Sequence, residues 1–511
     1  MGAEWAEHPG SLAVSGSSAA PAAARRQTLP GYFSAGRPGG FSAVYGSVMD
    51  LVDKMDENEW NYHGEGNKSL VVSHVQMSRV LRLLKYSSED AENAPQTTEE
   101  TFRQMENIVD FSNNVMSPLL GDKFVHSGEV VKLPLEFVRQ LSIKVQHHRP
   151  AWRCDKVMDI YSGAALCLPN LTTPSIPTHN PPLCVEIKPK CGFLPSPEHV
   201  SKDIKTKVCR HCMHQRYKVA SGKWKRKSLY CPLDLFSGNR QRMYFAIKHL
   251  IEEPQNNFKI FKGGKCIHGD RDEMLSVSSL LQKLRPYFSC GNGRNKTVLH
   301  DFIQVLVDSL LSSDEEGDEG VERRLEGRMV CEASLCSTEF LRTDPQPLPR
   351  DSVLGRILQV QLLDSLDIEG LLPLYRRVEQ YLHHFPKERS RLQIDGPYDK
   401  AFLEKLQKCP AEDDGSIEYA VAKVQQYRVA MTAKDCSIMV TLVPRRDEED
   451  GSERSAAFSF SASILDLDPK PQDGVRRQQR LDHRVVSAYL RDDPGPSPPL
   501  YPECTLLIHP V

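Results

Sequence analysis

The segment Leu183-Cys184-Val185-Glu186-Ile187 does most to limit the folds open to this chain. It is a short apolar run, entered from a Pro-rich loop and closed by Lys188-Pro189-Lys190. An apolar run of that length between breakers reads as a strand buried in a sheet. Proline has no amide hydrogen to give to a ladder, so the strand must end there and leave two lysines at its tip. On an extended chain, side chains two apart point the same way, so Lys188 and Lys190 could grip one anion together. They could equally be the solvated end of a strand.

Other segments extend the pattern. A turn at Gly64-Glu65-Gly66-Asn67, followed by Leu70-Val71-Val72 and Val80 to Leu84, predicts two strands in a hairpin-rich first part. Thr98 to Asn114 predicts a helix, with Thr98 as N-cap and Phe102, Met105, Ile108 and Val109 on one face. Ala164 to Leu168 reads as a further strand, stopping at Pro169-Asn170. The second half mixes helices such as Arg240 to Glu252 with strands such as Cys436 to Thr441 and Phe458 to Leu467. No fixed-period repeat occurs, which sets aside solenoids and propellers.

With 511 residues, 40% of them hydrophobic, the chain can bury a sizeable core. Nowhere is there an apolar stretch of about 18 residues, the length a membrane-spanning helix needs. The 14 cysteines follow no framework and the N-terminus lacks a secretory pattern, so we expect free thiols in a reducing compartment. Residues 1–54 are rich in Ala, Ser, Gly and Pro and predict a disordered extension; a transit peptide is the weaker alternative because of Glu4, Glu7 and the helix breakers. Residues 312–352, acidic and then Pro-rich, predict a solvated insertion.

The net charge of -2 hides an uneven distribution. Between Lys202 and Lys227 lie Lys205, Lys207, Arg210, His211, His214, Arg216, Lys218, Lys223, Lys225, Arg226 and Lys227, against Asp203 alone. A polyanionic ligand, a nucleic acid or a nuclear-import signal would each account for such a run. Asp435, at the start of a predicted strand, and Asp466 and Asp468, at the close of another, are placed to hold magnesium or accept a proton; turn or cap aspartates are the alternative. Gly64 and Gly66 could let backbone amides approach phosphates or could form an ordinary hairpin turn. Cys209 and Cys212 have the spacing of half a zinc site, but Cys331 and Cys336 make a poor second half, so buried or idle thiols are expected instead.

Seven collinear segments, GEGNKSLVV, EIKPKCGF, CPLDLFSGN, QNNFKIF, QIDGPYD, QQYRVAMTAKDCSIM and LDLDPKP, resemble the inositol-pentakisphosphate 2-kinase family of the animal type, from about Met55 to Asp482. The resemblance implies an α+β, two-lobed kinase-like fold, with a smaller sheet-rich N-lobe over 55–170 and a larger mixed C-lobe over 171–511. It implies transfer of the ATP γ-phosphate to the 2-hydroxyl of inositol 1,3,4,5,6-pentakisphosphate, with magnesium, giving inositol hexakisphosphate (phytate). Carried over by motif, Gly64, Gly66, Arg82, Asn170 and Glu186 would serve the nucleotide. Lys188 would bridge nucleotide and inositide, and Lys190, Arg153, Lys218, Asn256 and Lys470 would hold inositide phosphates. Asp435 would take the hydroxyl proton, Asp466 would bind magnesium, and Asp468 is a second candidate ligand.

A monomer without membrane contact, in cytoplasm and nucleus, is expected; the competing readings are nucleic-acid binding by the basic run and an inositide kinase of different acceptor specificity. Some positions depart from the family. Plant members carry an Arg and a Tyr where Gly474 and Gln478 stand, so Arg476, Arg477 or Arg480 could substitute. Pro469 falls where leucine is common, and the plant zinc site has no evident counterpart.

Overall fold

A computed structural model of the chain describes residues 55–88, 97–174, 180–269, 277–288, 295–313, 346–444, 458–491 and Cys504. The expected N-terminal extension and most of the expected insertion lie outside these residues. Strands gather into two antiparallel sheets with helices packed on them, an α+β architecture.

The first sheet contains β1 (Trp60–Glu65), β2 (Ser69–His74), β3 (Arg79–Ser87), β4 (Glu129–Lys132), β5 (Lys156–Met158) and β6 (Ala164–Pro169). Its order is β1-β2-β3-β6-β4, with β5 paired to the end of β3. Two helices accompany it, α1 (Thr98–Phe111) and α2 (Leu135–Gln146). Thr97 rather than Thr98 caps α1, because its hydroxyl accepts the Glu100 amide while the Glu100 carboxylate returns to the Thr97 amide. Helix α2 lays Phe137, Val138, Leu141 and Val145 against Trp60, Leu70, Val72, Leu81 and Leu83, an apolar core belonging to this sheet.

The second sheet runs β11-β10-β7-β8-β9, from β7 (Leu183–Ile187), β8 (Phe258–Lys262), β9 (Lys265–His268), β10 (Ser437–Pro444) and β11 (Phe458–Leu465). As its continuous apolar pattern requires, β7 lies in the middle, with Leu183, Cys184, Val185 and Ile187 all fully buried. Pairing sets Ile438 opposite Ile187 and Ser437 opposite Leu465. The end of β7, the start of β10 and the end of β11 therefore meet at one edge of the sheet.

The larger core around this sheet includes α4 (Arg240–Glu252), α5 (Asn295–Leu311) and α6 (Val353–Gln361). Beside it, α7 (Asp367–His384) packs on α8 (Ile417–Asp435), and α3 (Arg210–Ala220) packs on α9 (Gly474–Arg491) through Met213, Val485, Val486 and Tyr489. One expectation changes here. Asp435 is the last residue of helix α8, not the start of a strand. In the described end of the expected insertion, Gln346, Pro347 and Arg350 are exposed, while the Gln346 amide donates to the Ser237 carbonyl and fully buried Ser352 caps α6.

Candidate active site

The site grows from the sheet edge where β7, β10 and β11 end. Lys188 follows β7, and its backbone amide donates to the Asn257 carbonyl. Its Nζ lies 2.7 Å from Ser437 Oγ, 2.8 Å from Asp466 Oδ2 and 3.3 Å from Glu186 Oε1. Ser437 Oγ also sits 2.8 Å from Asp466 Oδ2 and 3.2 Å from Glu186 Oε1, closing a small polar knot. Burial would raise the Asp466 carboxyl, but Lys188, Ser437 and Arg82 bring it down to about 2. Burial would likewise lower the Lys188 ammonium, and the two carboxylates more than reverse that. Asp466 has φ of 64°, a left-handed conformation that aspartate tolerates better than most side chains.

Lys190 and Lys188 pair with different carboxylates. The Lys190 φ of 62° turns the backbone out of the strand, and its Nζ reaches Asp435 Oδ1 at 3.3 Å instead. Two buried side chains hold the turn: Tyr230 donates its hydroxyl to the Pro189 carbonyl, and Gln361 donates to the Lys190 carbonyl while accepting the Gly192 amide. Lys470 Nζ meets the other Asp435 oxygen at 2.9 Å. Burial works to raise the Asp435 carboxyl; Lys190 and Lys470 overcome it and hold the group below the ordinary carboxylate range. The segment carrying Asp466, Asp468 and Lys470 is tied to α8, whose Thr432 donates to the Asp468 carbonyl and whose Arg428 donates to the Lys470 carbonyl.

Asp435, Lys190 and Lys470 border a cavity of about 370 Å³. Helix α3 presents Arg210, His214 and Lys218 to it, four residues apart and thus on one helical face. Burial and the nearby cations Lys218, Arg210, Lys223 and Lys190 push the His214 imidazole down to about 3. The basic run of the sequence is divided: Lys205 is buried and Arg210, His214 and Lys218 face the cavity, while Lys223, Lys225, Arg226 and Lys227 are exposed, Arg226 beside Glu253.

The nucleotide-side expectations meet a mixed arrangement. Gly64 and Gly66 sit at the β1–β2 turn with open space where a side chain would begin. Arg82 grips both oxygens of Asp468, linking the first sheet to the segment after β11. Asp468 is thus committed to a guanidinium, while Asp466 keeps oxygen donors, Ser437 and Glu186, around it. Asn170 is buried, with its side-chain oxygen accepting both the amide and hydroxyl of Thr172. Arg153 lies in a short turn near Glu65 and Arg149, away from the cavity lining. Asn256 is exposed in the turn before β8, beside the Asn257 that receives the Lys188 amide.

A carboxylate cluster of Asp367, Glu369 and Asp482 has metal-like spacing, but Lys205 Nζ occupies its centre at 2.6, 3.0 and 2.9 Å. The half-site at Cys209 and Cys212 does have a partner pair, contrary to expectation. Cys231 and Cys504 bring all four sulfur atoms within 4.8 Å of one another. Four thiols so placed are the donor set of a closed structural zinc site. Sequence reasoning missed Ser437, Gln361 and Tyr230, which carry no local signal; the four-residue spacing of Arg210, His214 and Lys218 was readable.

A family model described as inositol-pentakisphosphate 2-kinase matches residues 62–484 of the chain. A protein of that name from Danio rerio is 56% identical over 486 residues, covering 91% of this chain and 100% of that protein. One from Arabidopsis thaliana is 29% identical over 478 residues, 86% of this chain and 95% of its own length. Another from Oryza sativa subsp. indica is 28% identical over 470 residues, 86% and 94% respectively.

Proposed function

This chain belongs to the inositol-pentakisphosphate 2-kinase family, and from that premise we propose that it transfers the γ-phosphate of ATP to the 2-hydroxyl of inositol 1,3,4,5,6-pentakisphosphate, giving inositol hexakisphosphate. The observation that carries this reading is Asp435, held ionised between Lys190 and Lys470 at the border of a cationic cavity, two residues from Ser437 in the Lys188–Asp466 knot. A pentakisphosphate brings roughly ten negative charges by the usual per-phosphate figure, and a cavity lined by Lys190, Lys218 and Lys470 suits it.

In this reading Asp435 accepts the proton of the attacking hydroxyl through a carboxylate oxygen, since that hydroxyl must lose its proton as the phosphoryl group moves. Lys190, Lys218 and Lys470 orient the inositide, with Asn256, next to the Asn257 that accepts the Lys188 amide, and with Arg153 brought to it if the two sheets approach. Lys188, on the boundary between the knot and the cavity, offsets phosphate charge on both substrates. Gly64 and Gly66 leave room for the phosphates of ATP, and Arg82, Asn170 and Glu186 line its remaining approach. Asp466 offers a carboxylate suited to magnesium, which prefers carboxylate and phosphate oxygens, and Asp468 would join it as a second ligand only on release from Arg82. When bound, magnesium would neutralise phosphate charge. The first sheet with its helices corresponds to the N-lobe of a kinase-like fold and the rest to the C-lobe.

A monomer in cytoplasm and nucleus completes the proposal. Among the described residues no helix is long and apolar enough to cross a membrane. Arg210, His214 and Lys218 of the basic run line a cavity, which favours a compact polyanion over a nucleic acid bound along an open face. A panel of inositol phosphates with ATP, read by phosphorus resonance on the product, tests the function. A new phosphate at the 2-position of the pentakisphosphate is expected. Preferential transfer to a less phosphorylated inositol would overturn it.

A further inference from the structure

The cavity is not evenly supplied with cations that a ligand could use. Lys205 is surrounded by Asp367, Glu369 and Asp482, and Lys434 is held by Asp364 at 2.6 Å. Lys190 and Lys470, which orient the inositide, share their charge with Asp435. The remaining corner lies between α3 and α9, where Gly474 and Gln478 carry no charge.

Two arginines converge on that corner. Arg477 lines the cavity from α9, and its Nη2 lies 3.9 Å from where a Cβ on Gly474 would stand. It has no carboxylate partner among the described residues. Its neighbours are placed otherwise: Arg476 is bound to Glu379, and Arg480 is outside the cavity lining. Arg210 lines the cavity from the opposite helix. Its Nε donates to Asp482 Oδ1 at 3.1 Å and its Nη2 to Gln478 Oε1 at 3.1 Å. The other oxygen of Asp482 takes Lys205, so that carboxylate is shared between two cations. Arg210 is fixed by the polar contacts of Gln478 and Asp482, whereas Arg477 is exposed and adjustable.

We propose that Arg210 and Arg477 form the phosphate grip at the α3–α9 corner, holding a ring phosphate of the inositide remote from the reacting hydroxyl, and so set selectivity for the fully loaded pentakisphosphate. A guanidinium presents several donors in one plane and suits a phosphate better than an ammonium does. A remote phosphate contact contributes binding to ground and transition state alike, which appears in KM rather than kcat. This inference rests on the kinase reading above.

The test uses the full chain and steady-state kinetics with ATP and inositol pentakisphosphate. Arg477→Gln should raise KM for the inositide about ten- to a hundredfold, with kcat and the KM for ATP little changed. Arg480→Gln, on the same helix but outside the cavity, should leave all three unchanged and so exclude a general charge effect. Gly474→Arg added to Arg477→Gln should recover much of the lost affinity. A Cβ at 474 would stand 3.7 Å from Pro471 Cγ and 3.9 Å from Pro471 Cδ and Arg477 Nη2, ordinary contact distances, so the branch point of a side chain is accommodated there. Arg210→Lys tests the second arm with charge retained, and calorimetric binding of inositol hexakisphosphate gives a readout independent of turnover. Active wild-type protein with an unaltered inositide KM in Arg477→Gln would overturn this inference and leave the kinase reading standing. Wild-type protein that fails to phosphorylate inositol pentakisphosphate would instead remove the premise.

Discussion

Lys188 and Asp466 meet at 2.8 Å where three strands end, with Ser437 bonded to both. The pairing is produced by sheet register, because Ile438 opposite Ile187 and Ser437 opposite Leu465 leave the residues just past β7 and β11 flanking the start of β10. A cation and a carboxylate so arranged can each turn to a ligand of the opposite charge without rearranging the backbone.

Removing the cation tests this through acid stability. The Asp466 carboxyl is held at about 2 in the folded protein, below its ordinary 3.8. The unfolded chain therefore binds the proton first as pH falls. Asp466 contributes stability that is complete above pH 3.8 and lost as pH approaches 2. In Lys188→Met that contribution should shrink, and the acid limb of a denaturant-derived stability profile should become shallower. The same variant should lower kcat/KM for both ATP and inositide. An unchanged acid limb would show that Lys188 does not set the Asp466 ionisation.

Asp435→Asn keeps the shape of the side chain and removes its basicity. Phosphoryl transfer should fall about a hundred- to ten-thousandfold, the usual contribution of a positioned base. Affinity for ATP and inositide should stay within about an order of magnitude, since the asparagine can still hydrogen-bond but no longer attracts Lys190 and Lys470. Comparing single-turnover rates with equilibrium binding separates the two effects, and normal turnover would reject Asp435 as the base.

Strand β7 was legible because burial on both faces writes a continuous apolar run that proline then ends. Helix α8 was not. Tyr419, Val421, Val424, Gln425, Tyr427, Arg428, Val429 and Thr432 are all buried, so polar and apolar residues alike face inward and the helical period disappears. That erased the helix and moved Asp435 from a helix end to an expected strand start. The motif residues could be named from resemblance, but Ser437 and Gln361 act through sheet register and a carbonyl contact that no local pattern encodes. Lys188 and Lys190 show the limit most plainly, since a single left-handed residue sends them to different carboxylates.

The cysteine cluster was hidden by sequence distance, with Cys231 and Cys504 273 positions apart. Protein purified without chelator should contain zinc in proportion to chain, measured by elemental mass spectrometry. Cys231→Ser should reduce that content and lower the unfolding temperature, because a tetrathiolate site contributes metal-binding energy directly to folding. Equal zinc and equal stability in Cys231→Ser and wild-type protein would exclude the site.

His214 supplies a probe of the cavity itself. Burial and the charges of Lys218, Arg210, Lys223 and Lys190 hold its imidazole near 3, against an ordinary value of 6.5. Its ring should stay neutral from pH 7 down to 5 in the free protein, visible as a histidine resonance that does not move. The unfolded chain, by contrast, takes up a proton below 6.5, so the contribution of His214 to stability is complete above that pH and declines as pH falls toward 3. His214→Gln should remove this component of the pH dependence. Inositol hexakisphosphate placed among the same cations reverses the local field, favouring the imidazolium and raising the titration midpoint. Binding should therefore be accompanied by proton uptake at pH 5, measurable by calorimetry in buffers of different ionisation enthalpy. A free-protein midpoint near 6.5, unmoved by the polyphosphate, would mean that the imidazole does not face the anion-binding cavity.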